Sequence, residues 1–123
     1  MAWNLDSDRP IYLQLMEVLQ TRIVSDQYKP GERLPSVREL ASEAGVNPNT
    51  MQKAFAELEW SGLIITQRTS GRIVTENTAL IAEIRQTLAK AQIKQFTQKM
   101  QKLGYRPNEV ADLVRQATEE GTI

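Results

Sequence analysis

The sequence predicts a mainly α-helical chain with one small β-hairpin: a winged helix-turn-helix domain over residues 1–75, followed by a two-helix C-terminal tail over residues 76–123. Three observations predict it. Two short amphipathic helices meet at a glycine turn between Glu32 and Ser61. A pair of β-prone runs around a polar tip follows at once, between Leu63 and Thr75. Beyond Asn77 a long stretch free of proline and glycine precedes Gly104 and a last helical pattern.

Composition sets the frame. A chain of 123 residues has room for one domain and an appendage. Its 41% hydrophobic residues can form a core, and 24% charged is ordinary for a globular chain. Cysteine and histidine are both absent. That excludes disulfides, thiol chemistry, a zinc site with nitrogen or sulfur ligands and any His-based catalytic triad. No catalytic residue, metal or cofactor is therefore expected. The opening MAWNLDSDRP has no basic-then-apolar signal pattern, and no apolar run approaches the ~20 residues that span a bilayer. The expectation is a cytoplasmic chain with no membrane partner.

The first nine residues read as a polar arm, with Trp3 as an apolar anchor for packing. Tyr12, Leu15, Met16, Leu19 and Ile23 then form one helical stripe within about Pro10–Ser25. Lys29-Pro30-Gly31 is a turn, and Pro35 pushes Leu34 toward extended geometry. Ser36 with Glu39 three residues on is a capping box. Val37, Leu40, Ala41 and Ala44 follow at i, i+3, i+4, i+7, and Gly45 stops the helix. Asn47 caps the next helix, Pro48 suits its first turn, and Met51, Ala54, Phe55 and Leu58 repeat the spacing. That is the helix-turn-helix pattern. Gly62 ends it. Leu63–Thr66 and Arg72–Thr75 are the two strands of a wing, with Arg68 and Arg72 flanking its tip.

The face that the second helix leaves free carries Asn49, Thr50, Gln52 and Lys53. Asn and Gln can pair with adenine, Thr can touch a thymine methyl, and Lys can reach guanine or phosphate. Their place in the first two turns is where a recognition helix enters the major groove. A cationic wing tip can reach phosphates or the minor groove beside it. Net charge is zero, and residues 1–75 hold eight basic and nine acidic side chains. The distribution nevertheless favours DNA. Arg33, Arg38, Lys53, Arg68 and Arg72 lie in the segments turned toward it, so a local positive stripe on a neutral chain is expected.

The helix over about Thr78–Leu103 has two offset stripes, Ile81, Ile84, Leu88 and Ala91, and Ala89, Ile93, Phe96, Met100 and Leu103. Gln92 and Gln95 break a strict heptad. A last helix over about Pro107–Glu120 aligns Val110, Leu113, Val114 and Ala117. Two helices cannot bury this much apolar surface alone. Pairing with the same tail of a second chain gives a C2 homodimer; folding back onto the winged domain is the alternative.

The motifs Pro10-Ile11-Tyr12 with Gln14-Leu15, Pro30-Gly31-Glu32-Arg33-Leu34-Pro35-Ser36-Val37-Arg38-Glu39-Leu40, Gly45-Val46-Asn47-Pro48-Asn49-Thr50 with Gln52-Lys53-Ala54-Phe55 and Leu58-Glu59, and Leu103-Gly104-Tyr105 with Glu109-Val110 cover essentially the whole chain. On these residues the sequence resembles the GntR family of bacterial transcriptional regulators, in its short YtrA-type form. The resemblance implies a winged helix-turn-helix that binds double-stranded operator DNA as a homodimer, usually as a repressor, with a helical dimerisation tail in place of a large ligand-binding domain. It implies that Arg38 contacts DNA from the first helix of the motif. Asn47, Asn49, Thr50 and Gln52 would approach bases or phosphates, and Gly71 would let the wing tip come close to the minor groove. The wing reads Arg68-Thr69-Ser70-Gly71 where the family usually has R-G-x-G, and Arg106 stands where it usually has a capping Ser.

The DNA face expected is thus Arg33, Ser36, Arg38, Asn47, Asn49, Thr50, Gln52, Lys53, Arg68, Gly71 and Arg72. The dimer face expected is Ile81, Ile84, Leu88, Ile93, Phe96, Met100, Leu103, Val110, Leu113 and Val114. Two recognition helices would enter successive major grooves of an inverted repeat and occlude a promoter. No residue pattern names a small-molecule effector. A winged helix used only as a protein-interaction scaffold is the rival that zero net charge favours, and confinement of the cations to the DNA-facing segments argues against it. An enzyme ranks last, with no Gly-rich phosphate loop and no paired acids.

Overall fold

The structure, a computed structural model, describes residues 2–123; Met1, the first residue of the predicted arm, lies outside them. The elements run α1 (Ile11–Val24), α2 (Val37–Ala44), α3 (Pro48–Trp60), β1 (Ile64–Gln67), β2 (Gly71–Val74), α4 (Thr78–Lys102) and α5 (Pro107–Glu119). The chain divides into two compact units, Met1–Arg85 and Gln86–Ile123.

In the first unit the predicted stripes become the core. Leu15, Leu19 and Ile23 of α1 meet Leu40, Ala41 and Ala44 of α2 and Met51, Ala54, Phe55 and Leu58 of α3, all buried. Each of the large members contributes about 1.5–3 kcal/mol through the apolar surface it removes from water. Tyr12 and Met16, read as part of the α1 stripe, are only half-buried at its edge. Leu34, Leu63, Ile64 and Val74 close the core from the extended segments. Ile81 and Ile84, from the first turns of α4, also pack on this cluster.

β1 and β2 pair antiparallel with Ile64 opposite Val74 and Gln67 opposite Gly71, which leaves a tip of Arg68, Thr69 and Ser70. The strands sit one residue off the expected runs. Leu63 precedes β1 because its N–H closes the end of α3 on the Leu58 carbonyl. The Glu32–Leu34 segment lies along the outer edge of β2: Val74 N–H donates to the Glu32 carbonyl at 2.9 Å and Leu34 N–H to the Arg72 carbonyl at 2.8 Å. The sheet edge is thereby paired rather than open.

The arm is tied down. Gln14, a polar residue at the start of α1, is buried. Its amide nitrogen donates to the carbonyls of Asp6 at 2.8 Å and Arg9 at 3.1 Å, and its amide oxygen accepts from Asp6 N–H at 2.7 Å. Trp3 N–H bonds the Ala44 carbonyl, and its indole N–H donates to Glu43 at 2.8 Å. The Arg22 guanidinium stacks 4.8 Å from the Trp3 ring and bridges to Glu43 at 2.7 Å. Gly45 is doubly required at the turn: its φ is +76°, and a Cβ there would stand 2.9 Å from the Ala2 methyl. Trp60, the last residue of α3, is 89% exposed.

In the second unit Val110 is buried, and Leu88, Met100 and Leu113 are half-buried. Ile93, Phe96, Leu103 and Val114 are exposed. α5 starts without a capping side chain at Arg106, as a guanidinium has no acceptor to offer. Glu109 supplies the cap from the other side, its carboxylate accepting the Arg106 N–H at 2.9 Å.

Candidate nucleic-acid interface

Residues from four segments meet in one cleft. The extended segment brings Arg33, Leu34 and Pro35; the start of α2 brings Ser36, Val37 and Arg38; α3 brings Gln52 and Phe55; the wing brings Thr66, Gly71 and Arg72. The cleft measures about 420 Å³. Six of the eleven sequence-predicted DNA residues therefore share one concavity: Arg33, Ser36, Arg38, Gln52, Gly71 and Arg72. Asn47, Asn49 and Thr50 lie at the N-terminus of α3, and Lys53 lies one residue beyond Gln52, outside the cleft lining. Arg68 is exposed at the wing tip.

Local chemistry fixes each position. The Ser36 hydroxyl accepts the Glu39 N–H at 3.1 Å while Glu39 accepts the Ser36 N–H, completing the capping box. The Asn47 side-chain oxygen accepts the Asn49 N–H at 2.8 Å. Capping uses only the oxygens' acceptor capacity. The Ser36 hydroxyl proton and the Asn47 amide protons remain available to an incoming acceptor such as a phosphate oxygen. Lys53 is held with its ammonium 3.9 Å from the centroid of the Tyr12 ring. Gly71 turns the chain into β2 with φ +74°.

The cations divide into two kinds. Arg33, Arg38, Lys53 and Arg68 have no carboxylate partner among the described residues. Arg72 differs: its Nε donates to Glu59 at 2.8 Å, and its guanidinium lies 5.1 Å from the Phe55 ring centroid. The other oxygen of Glu59 accepts the Thr66 hydroxyl at 2.5 Å. The Thr66 bond is the main cause that holds the Glu59 carboxyl below the usual carboxylate range; burial opposes it, and Arg72 adds to the depression. The sequence names Glu59 only within the Leu58-Glu59 motif and gives neither it nor Thr66 a role at the site. The hairpin register that sets Thr66 opposite Arg72 was the available signal.

A model described as bacterial regulatory proteins, gntR family, matches residues 11–74. The chain belongs to the GntR family. The match spans every element that lines the cleft. Among relatives, it is 35% identical over 118 residues to the HTH-type transcriptional regulator YhcF of Bacillus subtilis (strain 168), covering 96% of this chain and 98% of that one. It is 42% identical over 91 residues to the HTH-type transcriptional repressor YtrA of the same organism, covering 73% and 70%. Among solved structures, a GntR family transcriptional regulator from Listeria monocytogenes superposes with a TM-score of 0.82 at 38% identity, over 91% of this chain and 98% of that one. AraR(DBD), solved in complex with operator ORX1, superposes with a TM-score of 0.53 at 26% identity, over 61% of this chain and 92% of that one. This GntR-family chain is thus a transcription regulator with a DNA-binding winged helix-turn-helix, and its relatives are regulators rather than enzymes. None of its described helices is long and apolar enough to cross a membrane.

Proposed function

We infer that this chain is a sequence-specific repressor of the YtrA type, acting in the cytoplasm, which binds an inverted-repeat operator as a homodimer. The observation that carries the DNA-reading part is the cleft, where Arg33, Ser36, Arg38, Gln52 and Gly71 converge beside the first turns of α3. In this reading residues 1–75 hold the operator. α3 enters the major groove with Asn49, Thr50, Gln52 and Lys53 toward bases. Ser36, Asn47 and Arg33 take phosphates, and Arg68 at the wing tip follows the neighbouring backbone. The repressor sign is supported by the name of the YtrA relative.

Residues 76–123 pair with a second copy. The support is exposed apolar surface on α4 and the segment after it: Ile93 is 62% exposed and Leu103 73%. Ile93, Phe96, Leu103 and Val114 would lie at the centre of that pairing, with Leu88, Met100, Val110 and Leu113 behind them. Ile81 and Ile84, expected on the same face, pack against the winged core.

The test is a gel shift on DNA from just upstream of the chain's own gene, with scrambled competitor and a salt series, and sedimentation of free protein and complex. A competitor-resistant shift at dimer stoichiometry is expected. Arg38→Ala and Gln52→Ala should each cost about 1–3 kcal/mol, concentrated at particular base pairs. Equal affinity for operator and scrambled DNA would refute sequence reading, and a monomer that shifts DNA unchanged would refute the homodimer.

A further inference from the structure

We propose that Glu59, Thr66 and Arg72 form a latch between the end of the recognition helix and the wing, and that Arg72 is a positioning residue that stays on Glu59 when DNA binds. The proposal rests on the DNA-binding reading above for its consequence, though not for its existence. Thr66 and Arg72 face each other across β1 and β2, so both side chains stand on one face of the hairpin. That face is turned to α3, because Glu59 divides its two carboxylate oxygens between them, one to the Thr66 hydroxyl and one to Arg72 Nε. Phe55, one helical turn before Glu59, carries the same guanidinium on its ring. Two residues of α3 thus grip one residue of β2, and a third contact fixes β1.

Charge separates Arg72 from the other cations of the site. Its side chain is 25% exposed and that of Glu59 32%, and they neutralise each other. Arg33, Arg38 and Arg68 carry no such partner among the described residues. Thr66 and Arg72 also line the cleft. The latch therefore sets how far the wing stands from Arg38 and Gln52, and so which phosphates and which minor-groove step the tip reaches.

The rival reading makes Glu59 a competitor that Arg72 leaves for a phosphate. The two differ in sign for one substitution, Glu59→Gln, which keeps shape and removes charge. In the latch reading, Glu59→Gln and Arg72→Gln each weaken operator binding about threefold to tenfold, and the double variant is no weaker than the poorer single one. The slope of affinity against salt stays that of the parent. Hydroxyl-radical footprints lose protection beside the wing and keep it under the recognition helices, a pattern that mere loss of stability does not produce. Tighter binding by Glu59→Gln with a slope steeper by about one unit would overturn the proposal, since Arg72 would then be a phosphate contact. A double-mutant cycle on urea unfolding tests the latch without DNA. Coupling of about threefold or more in the unfolding constant is expected, and independent effects would overturn the latch. Should the parent protein bind no DNA at all, the operator reading fails and the unfolding cycle alone decides the latch.

Discussion

Gln14→Met is the substitution that best probes how the N-terminal arm is held. Methionine fills nearly the same volume and keeps α1 intact, so the change deletes hydrogen bonds and little else. Gln14 makes three of them, to Asp6 N–H, the Asp6 carbonyl and the Arg9 carbonyl, at 2.7 to 3.1 Å. Each contributes about 0.5–1.5 kcal/mol net, which sets an upper bound of about 4.5 kcal/mol. Asp6 and Arg9 are exposed residues, so their freed backbone groups regain water and much of the loss is returned. The expected destabilisation is about 1–3 kcal/mol. Urea unfolding should show a lower midpoint at unchanged slope, because the surface exposed on unfolding is nearly the same. Operator affinity should hold, as Gln14 is not among the cleft residues. A midpoint within error of the parent would refute the view that the arm is an integral part of the winged unit.

Ser36→Ala removes the acceptor of the capping box and should cost about 1 kcal/mol in urea melts, with Ser36→Asp recovering most of it. Gly71→Ala should cost about 1–2 kcal/mol, because an L-residue at φ +74° strains the backbone. The added methyl itself meets Arg33 Nε at an ordinary 3.9 Å, so a clash is not the cause, and Gly71→Asn should do less harm. Glu43 and Glu59 both have carboxyls held below the usual range, Glu43 chiefly by Arg22 and Glu59 chiefly by Thr66. A depressed folded-state pKa gives stability that is present above the unfolded value and fades as pH falls through the folded one. Urea midpoints should therefore drop on acidification below about pH 4.3, the ordinary glutamate value, and less steeply in Glu43→Gln or Glu59→Gln. A parent and variants with parallel pH profiles would contradict this.

Where side-chain type and spacing decide the outcome, the sequence was legible. Leu40, Ala41 and Ala44, then Met51, Ala54, Phe55 and Leu58, are buried as their period requires, and Ser36, Gly45 and Asn47 cap as their chemistry requires. Polar residues that work against type were not legible. Gln14 is buried at a position where a polar letter reads as surface, since its value comes from carbonyls of an irregular arm that no period encodes. Glu59 stands in the sequence only as part of the Leu58-Glu59 motif, and its partners lie seven and thirteen residues away on the hairpin. Ile81 and Ile84 share a periodic stripe with Leu88, yet the first two join the winged core. Periodicity says that a face is apolar, not which neighbour meets it.

The two tryptophans sit in unlike surroundings, one on the arm and one at the end of α3. Trp3 lies against a guanidinium with its indole N–H bonded to a carboxylate, whereas Trp60 is almost wholly in water. Their light emission is accordingly separable. The Trp60 component is open to a soluble quencher and reports whatever approaches the end of the recognition helix. The Trp3 component is partly sheltered and reports whether the arm is seated over α1 and α2. A chain carrying a single indole, with the other replaced by phenylalanine, would turn each of these events into one optical signal without an attached dye.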